Sequence, residues 1–353
     1  MTTISRACQV LVVLLGLAGH TVHAREVPDS QKRGQWTHAR TQLSLEPVLA
    51  GLQLYKVLSS APRELDVHAR FESPDQATFA TVYVFRPAAG DLPLWFDRAT
   101  ATIATADRWT IASTEEFGPF VPPGQDRANG LQAIYALGGG EFRSTAIAMA
   151  ATDGWIIKIR ITSLKLDAAE MKALMGEFQR QIVWPRTLAT APAVSPLADC
   201  PTPLTFGKAA RPVRRSRDKA AASAVAGALL EGSERDATIG APLRGKAYCR
   251  DSVFGTHGIY RIEGTSDQYL LAYNDAGRVA SVRPSPGLFD ADGKKSFAIS
   301  YLELDRSLQY VDHDRLVSPA HLNEIVHSQR PLTTVAIEET GSEAAPDRPG
   351  AQP

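Results

Sequence analysis

Cysteine is scarce in this chain. Its 353 residues include three, Cys8, Cys200 and Cys249, without the close spacing of a zinc-binding set. Net charge is missing too, because 38 Lys and Arg balance 38 Asp and Glu. A neutral chain makes no broad electrostatic claim on nucleic acid or an anionic membrane, so no nucleic-acid partner is expected. No stretch reaches the ~20 apolar residues of a membrane-spanning helix. There is no P-loop, no Rossmann glycine fingerprint, no GxSxG nucleophile turn and no internal repeat. These absences argue against nucleotide, dinucleotide and structural-zinc chemistry, and no cofactor is implied. They leave room for an enzyme whose residues gather from distant segments.

What is present begins at the N-terminus. Arg6 and the free amine make a positive start, Val10 to Leu17 is almost unbroken apolar sequence, and Val22-His23-Ala24 offers small-residue cleavage chemistry. This is the pattern of a secretory signal peptide over residues 1–24, cut after Ala24. The apolar run is roughly ten residues, about half of a span; a retained anchor is the competing reading. Cys8 precedes the run, so it is no lipid attachment site. The expected location is periplasmic or secreted, with no transmembrane segment after cleavage. Cleavage takes away Cys8 and leaves Cys200 and Cys249, which an oxidising compartment pairs as a disulfide. That bond closes a loop of about 50 residues and contributes on the order of 4 kcal/mol.

Behind the signal, residues 25–40 read as a loose arm and 41–186 as a first domain. Val67, Ala69 and Phe71 alternate with His68, Arg70 and Glu72, the period of a strand with one wet face. Phe79 to Phe85 reads as a central strand. Asp91 caps a helix with apolar positions at Leu92, Trp95, Phe96, Ala99 and Ile103. Residues 113–130, with Gly118, Pro119, Pro122, Pro123 and Gly124, read as a long irregular loop. Glu115, Glu116, Phe117 and Phe120 make that loop a candidate lid. Phe142 to Ala150 and Trp155 to Thr162 form a hairpin across Thr152-Asp153-Gly154. Asp167 and Glu170 make a capping box for a helix that buries Met171, Leu174, Met175 and Phe178.

Residues 187–199, rich in Ala, Pro, Thr and Ser, read as a linker. A second domain follows over 200–330, carrying the disulfide. It holds a helix from Asp218, a hairpin around Asn274-Asp275-Ala276-Gly277, a strand through Phe297, Ile299 and Tyr301, and a short helix opened by Ser318-Pro319. Residues 331–353 read as a disordered tail. The expected class is α+β, two domains that each pair a mainly antiparallel sheet with packed helices. The element order over residues 45–185 resembles the Mog1/PsbP-like α/β sandwich. The ending from GGEFRS at 139–144 to WP at 184–185 resembles uncharacterised exported bacterial proteins. Neither resemblance implies a site residue.

Candidate sites are sparse. His321, Glu324 and His327 recur at i, i+3 and i+6, a set that could share a divalent ion. Leu322, Ile325 and Val326 centre on the opposite face, so the set is expected to meet water. His68 and His257 are the candidate catalytic bases. His68 lies between Asp66 and Arg70 on a wet strand face, and His257 lies in a Gly-Thr-His-Gly loop near Asp251 and Ser252. Arg211, Arg214, Arg215 and Arg217 form the dense basic run, a candidate grip for an anionic headgroup or acidic protein. Tyr269 and Tyr273 share one strand face, where packing is the expected role. The combined expectation is an exported, non-catalytic binding or interaction module of the cell envelope, whose partner is a protein or envelope ligand. A periplasmic hydrolase, metal-assisted or not, is the alternative.

Overall fold

A computed structural model of the chain describes residues 25–26, 34–216, 218–228, 247–285 and 295–336. Short strands β1 (Arg25–Glu26), β2 (Trp36–Thr37), β3 (Ser44–Leu45) and β4 (Val48–Leu49) lead into β5 (Leu52–Ser59), β6 (Asp66–Glu72) and β7 (Thr78–Phe85). Helix α1 (Leu92–Ala104) follows, then β8 (Thr110–Phe120), β9 (Gly130–Gly138), β10 (Ser144–Thr152), β11 (Trp155–Ser163) and α2 (Ala168–Gln181). Helix α3 covers 218–228. The remainder is β12 (Tyr248–Phe254), β13 (His257–Ile262), β14 (Tyr269–Tyr273), β15 (Arg278–Pro284), β16 (Phe297–Leu302), β17 (Arg306–Gln309), α4 (Pro319–Ser328) and β18 (Thr333–Ala336).

The expected α+β class is overturned. Among the described residues strand occupies 40% and helix 20%, with four helices, so the fold is mainly β. One sheet runs β1-β5-β6-β7-β11-β10-β9-β8, with β4 paired to β5, and the second runs β12 to β18 in chain order. Every pairing within these sheets is antiparallel. Part of the excess strand was hidden in sequence. β8 starts at Thr110 and runs into the segment 113–130 expected to be a loop. It is an edge strand, mostly exposed on both faces, and two bulges interrupt its register. An exposed, bulged edge shows no clean period of two, and Gly118 and Pro119 mimic a turn.

The ends also differ from expectation. Trp36 and His38, placed in the loose arm, are buried. β18 lies inside the expected disordered tail and pairs with β17. Residues 1–24 and 337–353, holding the signal peptide with Ala24 and most of the tail, lie outside the described residues, as does Arg217.

Three apolar clusters explain the layering. The first sheet buries Val67, Phe71, Val82, Ile157 and Ile159 against Met171, Met175 and Phe178 of α2. Its other face, through Ile147, Met149 and Ile156, meets Leu94, Phe96 and Ile103 of α1 and also Tyr260, Ala272, Val279 and Leu302 of the second sheet. The second sheet then buries its far face, including Leu271 and Ile299, against Leu322 and Ile325 of α4. The two sheets therefore share a core.

Polar bolts fix their register. The turn between β14 and β15 docks on the first sheet. Lys158 Nζ donates to Asp275 Oδ2 at 2.9 Å, and Arg98 Nε donates to the Asn274 carbonyl at 3.1 Å. The Ala88 N–H donates to the Gly277 carbonyl at 2.7 Å. Gly277 is required here, since its φ is +87° and a Cβ would lie 2.9 Å from Pro87 Cα. On α1, Asp97 accepts from Tyr260 Oη and Arg250, each at 2.7 Å. Burial and the Asp97 carboxylate hold the Tyr260 phenol well above its ordinary pKa.

Candidate functional site

A cleft of about 770 Å³ opens where the two sheets meet. Four walls enclose most of it, and Asn129, between β8 and β9, adds to them. The β10–β11 turn contributes Thr152, Asp153, Gly154 and Trp155; the start of α1 contributes Asp91, Leu92 and Pro93. The segment from Thr190 to Asp199 forms a third wall, and Tyr248, Cys249 and Glu263 of the second sheet a fourth. Its volume lies in the range that holds small molecules, roughly 300–1,000 Å³.

Local sequence sets each wall. Asp153 and Gly154 both have positive φ, at 44° and 80°, and Thr152 pairs with Trp155. That is a two-residue hairpin turn of the mirror-image type, which asparagine or aspartate followed by glycine favours. Asp91 caps α1 by accepting from the Leu94 N–H at 3.1 Å. Burial nevertheless pushes its carboxyl above the ordinary range, against the hydrogen bonds from backbone N–H groups.

The expected linker is a wall of the site. Val194 N–H donates to the Ala128 carbonyl at 3.0 Å, and the Cys200 and Arg250 N–H groups bond the Arg250 and Ala198 carbonyls. The Cys200–Cys249 disulfide is present, closing a separation of 49 residues with Cα atoms 4.9 Å apart. Arg250 also reaches Asp199 at 2.8 Å. The segment is thereby sewn to both sheets.

The chemistry of the lining is one-sided. It carries four carboxyl groups, on Asp91, Asp153, Asp199 and Glu263, and no Lys, Arg or His. Asn129, 1% exposed, donates its Nδ2 to the Leu188 carbonyl at 2.9 Å. Its Oδ1 is buried with no hydrogen-bond partner among the described residues. A buried acceptor left empty is costly, and a ligand donor would satisfy it.

The sequence-predicted sites lie elsewhere. His68 is half-buried on β6, its ring 5.9 Å from Tyr83, so the fully wet face expected for it is partly covered. Burial lowers its pKa, aided by Lys56, Arg70 and Lys158 and opposed by Asp66. His257 opens β13 with its ring 4.7 Å from Tyr273, and burial lowers its pKa as well. Asp251 does not orient it, because that carboxylate takes Arg261 Nε at 2.9 Å, the Leu204 N–H at 2.8 Å and the Ser252 hydroxyl at 3.1 Å. Tyr269 and Tyr273 are buried as expected.

His321, Glu324 and His327 are not drawn together. The His321 ring meets His313 at 5.3 Å, the His327 ring meets Tyr273 at 5.6 Å, and Glu324 is exposed. Among the described residues, no group of three or more His, Cys, Asp or Glu is placed to hold a metal ion. The arginine run divides. Arg211 and Arg214 are exposed, whereas Arg215 is buried in an ion pair with Asp312 and donates to Ser296 Oγ at 2.9 Å. Asp312 also accepts from Ser285 at 2.9 Å. Arg215 is thus engaged within the fold, apart from the exposed Arg211 and Arg214 of the same run.

Sequence reasoning singled out neither Asn129 nor Asp91 as a site residue, apart from the helix cap at Asp91. The residues that converge here come from six separate stretches between Pro87 and Glu263, and no local spacing encodes their meeting. No family model matches the chain, and no curated protein or solved structure is significantly similar to it.

Proposed function

We propose that this chain is a non-catalytic binding module of the cell envelope, exported by its first 24 residues, and that its ligand occupies the cleft between the two sheets. The observation that carries the reading is the lining: four carboxyl groups, no cationic side chain and an unpartnered buried Asn129 oxygen. Such a site favours a small, largely apolar ligand that is uncharged or cationic and offers an N–H or O–H donor. An anion would face like charge that only Arg250, paired with Asp199, offsets. The cleft supplies no histidine, and its one cysteine is held in the disulfide.

Two measurements test this. A neutral solvatochromic naphthalene dye should bind with a blue-shifted emission, while an anionic naphthalene sulfonate of equal size should bind at least tenfold more weakly. Ala193→Trp, at an exposed position of the wall, should fill the cleft and weaken the neutral dye tenfold without lowering stability. Dye binding that is unchanged in this variant, or that favours the anion, would sink the cleft reading. Cell fractionation tests export separately: deleting residues 2–24 should hold the protein in the cytoplasm.

A further inference from the structure

The chain carries a row of cations on the first sheet that reaches Arg160, about 13 Å along β11 from the cleft residue Ile156, four residues away at ~3.3 Å each. Arg160 pairs with Thr81 of β7, Thr81 with Arg70 of β6, and Arg70 with Lys56 of β5. Directly paired residues share a face and stand ~4.8 Å apart. Three cations thus lie in one row across four strands. Arg70 has a local partner, Glu72 at 3.0 Å. Arg160 has none: its Nε is buried and makes no hydrogen bond among the described residues.

The surroundings make the omission more pointed. The Arg160 guanidinium lies 5.7 Å from the Trp109 ring centroid, and the Arg108 guanidinium lies 4.4 Å from the same centroid. Neither arginine has a carboxylate within 4.0 Å among the described residues. Two guanidinium groups against one indole gain from the ring, yet repel each other. Tyr83 and Tyr135 stand close enough to act on the Arg160 charge, and their hydroxyls can donate to an oxygen. Burial of the Arg160 cation lowers its pKa, with Arg108 adding to the effect.

We propose that Arg160 and Arg108 form an oxyanion-binding site, distinct from the cleft, that takes the carboxylate or phosphate group of a small molecule. Guanidinium forks match both groups bidentately, and an anion between the two arginines cancels their repulsion while filling the empty Arg160 donor. The site takes over the anion-binding role that the 211–217 run suggested in sequence. It does not depend on what the cleft holds.

The test uses the exported protein with inorganic phosphate and succinate as separate probes, read by thermal shift and tryptophan fluorescence at low salt. At least one probe should raise the melting temperature, with an affinity that falls as salt rises. A response to phosphate alone assigns a phosphate-bearing ligand; a response to succinate alone assigns a carboxylate. Arg160→Gln should weaken the responding probe at least tenfold and leave the unliganded melting temperature unchanged or higher, because it removes a cation whose buried Nε makes no hydrogen bond among the described residues and on which Asp275 acts only from beyond ion-pair distance. Arg108→Gln, at an exposed position, guards against a folding defect and should weaken binding about fivefold. No response to either probe in the wild type, or one that survives in both variants, overturns the proposal.

Discussion

Replacing Lys158 with methionine tests how firmly the two sheets are joined. Lys158 is 2% exposed. Its Nζ lies 2.9 Å from Asp275 Oδ2, 3.1 Å from the Asp275 carbonyl and 4.3 Å from the Tyr83 ring centroid. Methionine keeps most of the apolar stem but removes the cation and its donors. Breaking a buried pair from one side costs roughly 3–5 kcal/mol, since a charge is left without its partner. The Asp275 side chain is 25% exposed, and Arg98 and Arg160 still act on it. Those features place the expected loss near the bottom of the range, at about 3 kcal/mol. Asp275→Asn alone leaves the buried Lys158 cation unpaired and should also cost about 3 kcal/mol. The double variant Lys158→Met/Asp275→Asn should cost about 3 kcal/mol rather than about 6, a coupling of about 3 kcal/mol.

Urea unfolding followed by circular dichroism and by tryptophan fluorescence measures all three variants. Acid sensitivity adds a second readout. Burial raises the Asp275 pKa, but Lys158, Arg160 and Arg98 outweigh it, and the net direction is down. A depressed carboxylate stabilises the fold above its unfolded pKa, and that contribution is lost as pH falls through its folded pKa. The Lys158→Met variant should lose part of this acid sensitivity. A single-variant loss under about 1 kcal/mol, or a double variant whose loss equals the sum of the two singles, would refute the bolt and its assigned role.

Two further outcomes follow from buried groups. His38 is fully buried; the Thr41 N–H donates to its Nδ1 at 3.3 Å, which puts the proton on Nε2 facing the Glu64 carbonyl. Burial lowers its pKa to about 4. The unfolded chain then binds the extra proton first, so stability falls as pH drops from 6.5 towards 4, by about 3 kcal/mol in total. Chemical denaturation at pH 7 and pH 4 should show that drop in the wild type and a smaller one in His38→Gln. Separately, Cys200→Ser/Cys249→Ser should cost about 4 kcal/mol and weaken dye binding in the cleft, since Cys249 lines it; intact mass without reductant checks that the wild-type bond has formed. Unchanged melting in the double serine variant would contradict both effects.

The legible parts of this fold are those set by short-range chemistry. Asp91, Asp167 and Ser318 cap α1, α2 and α4, because a side-chain oxygen two or three residues from a free N–H is a local matter. The capping box of Asp167 and Glu170 is present in full. The β10–β11 hairpin was readable from Asp153-Gly154, and the disulfide from the two cysteines left once the expected signal peptide is set aside. β8 was not, since neither of its faces is consistently buried. The weight of strand over helix was also missed, because edge strands and short pairings leave little periodicity to read.

The candidate site was almost wholly illegible. Asn129 and Asp91 are 38 positions apart in sequence and carry no shared motif; they line one cavity because α1 packs across β9 and β10 of the first sheet. Arg215 and Arg160 make the same point from opposite sides. In sequence Arg215 sits in a conspicuous basic run, and Arg160 is one residue of an apolar strand. Folding gives Arg215 a buried carboxylate and leaves the Arg160 Nε without a partner among the described residues. By itself the sequence determined the helix caps, the hairpin turns and the cysteine pair, all of which depend on neighbours in the chain or on mere count. Only the tertiary structure decided which charges are compensated and which cavity stays open, because burial and pairing depend on distant segments arriving at the same place.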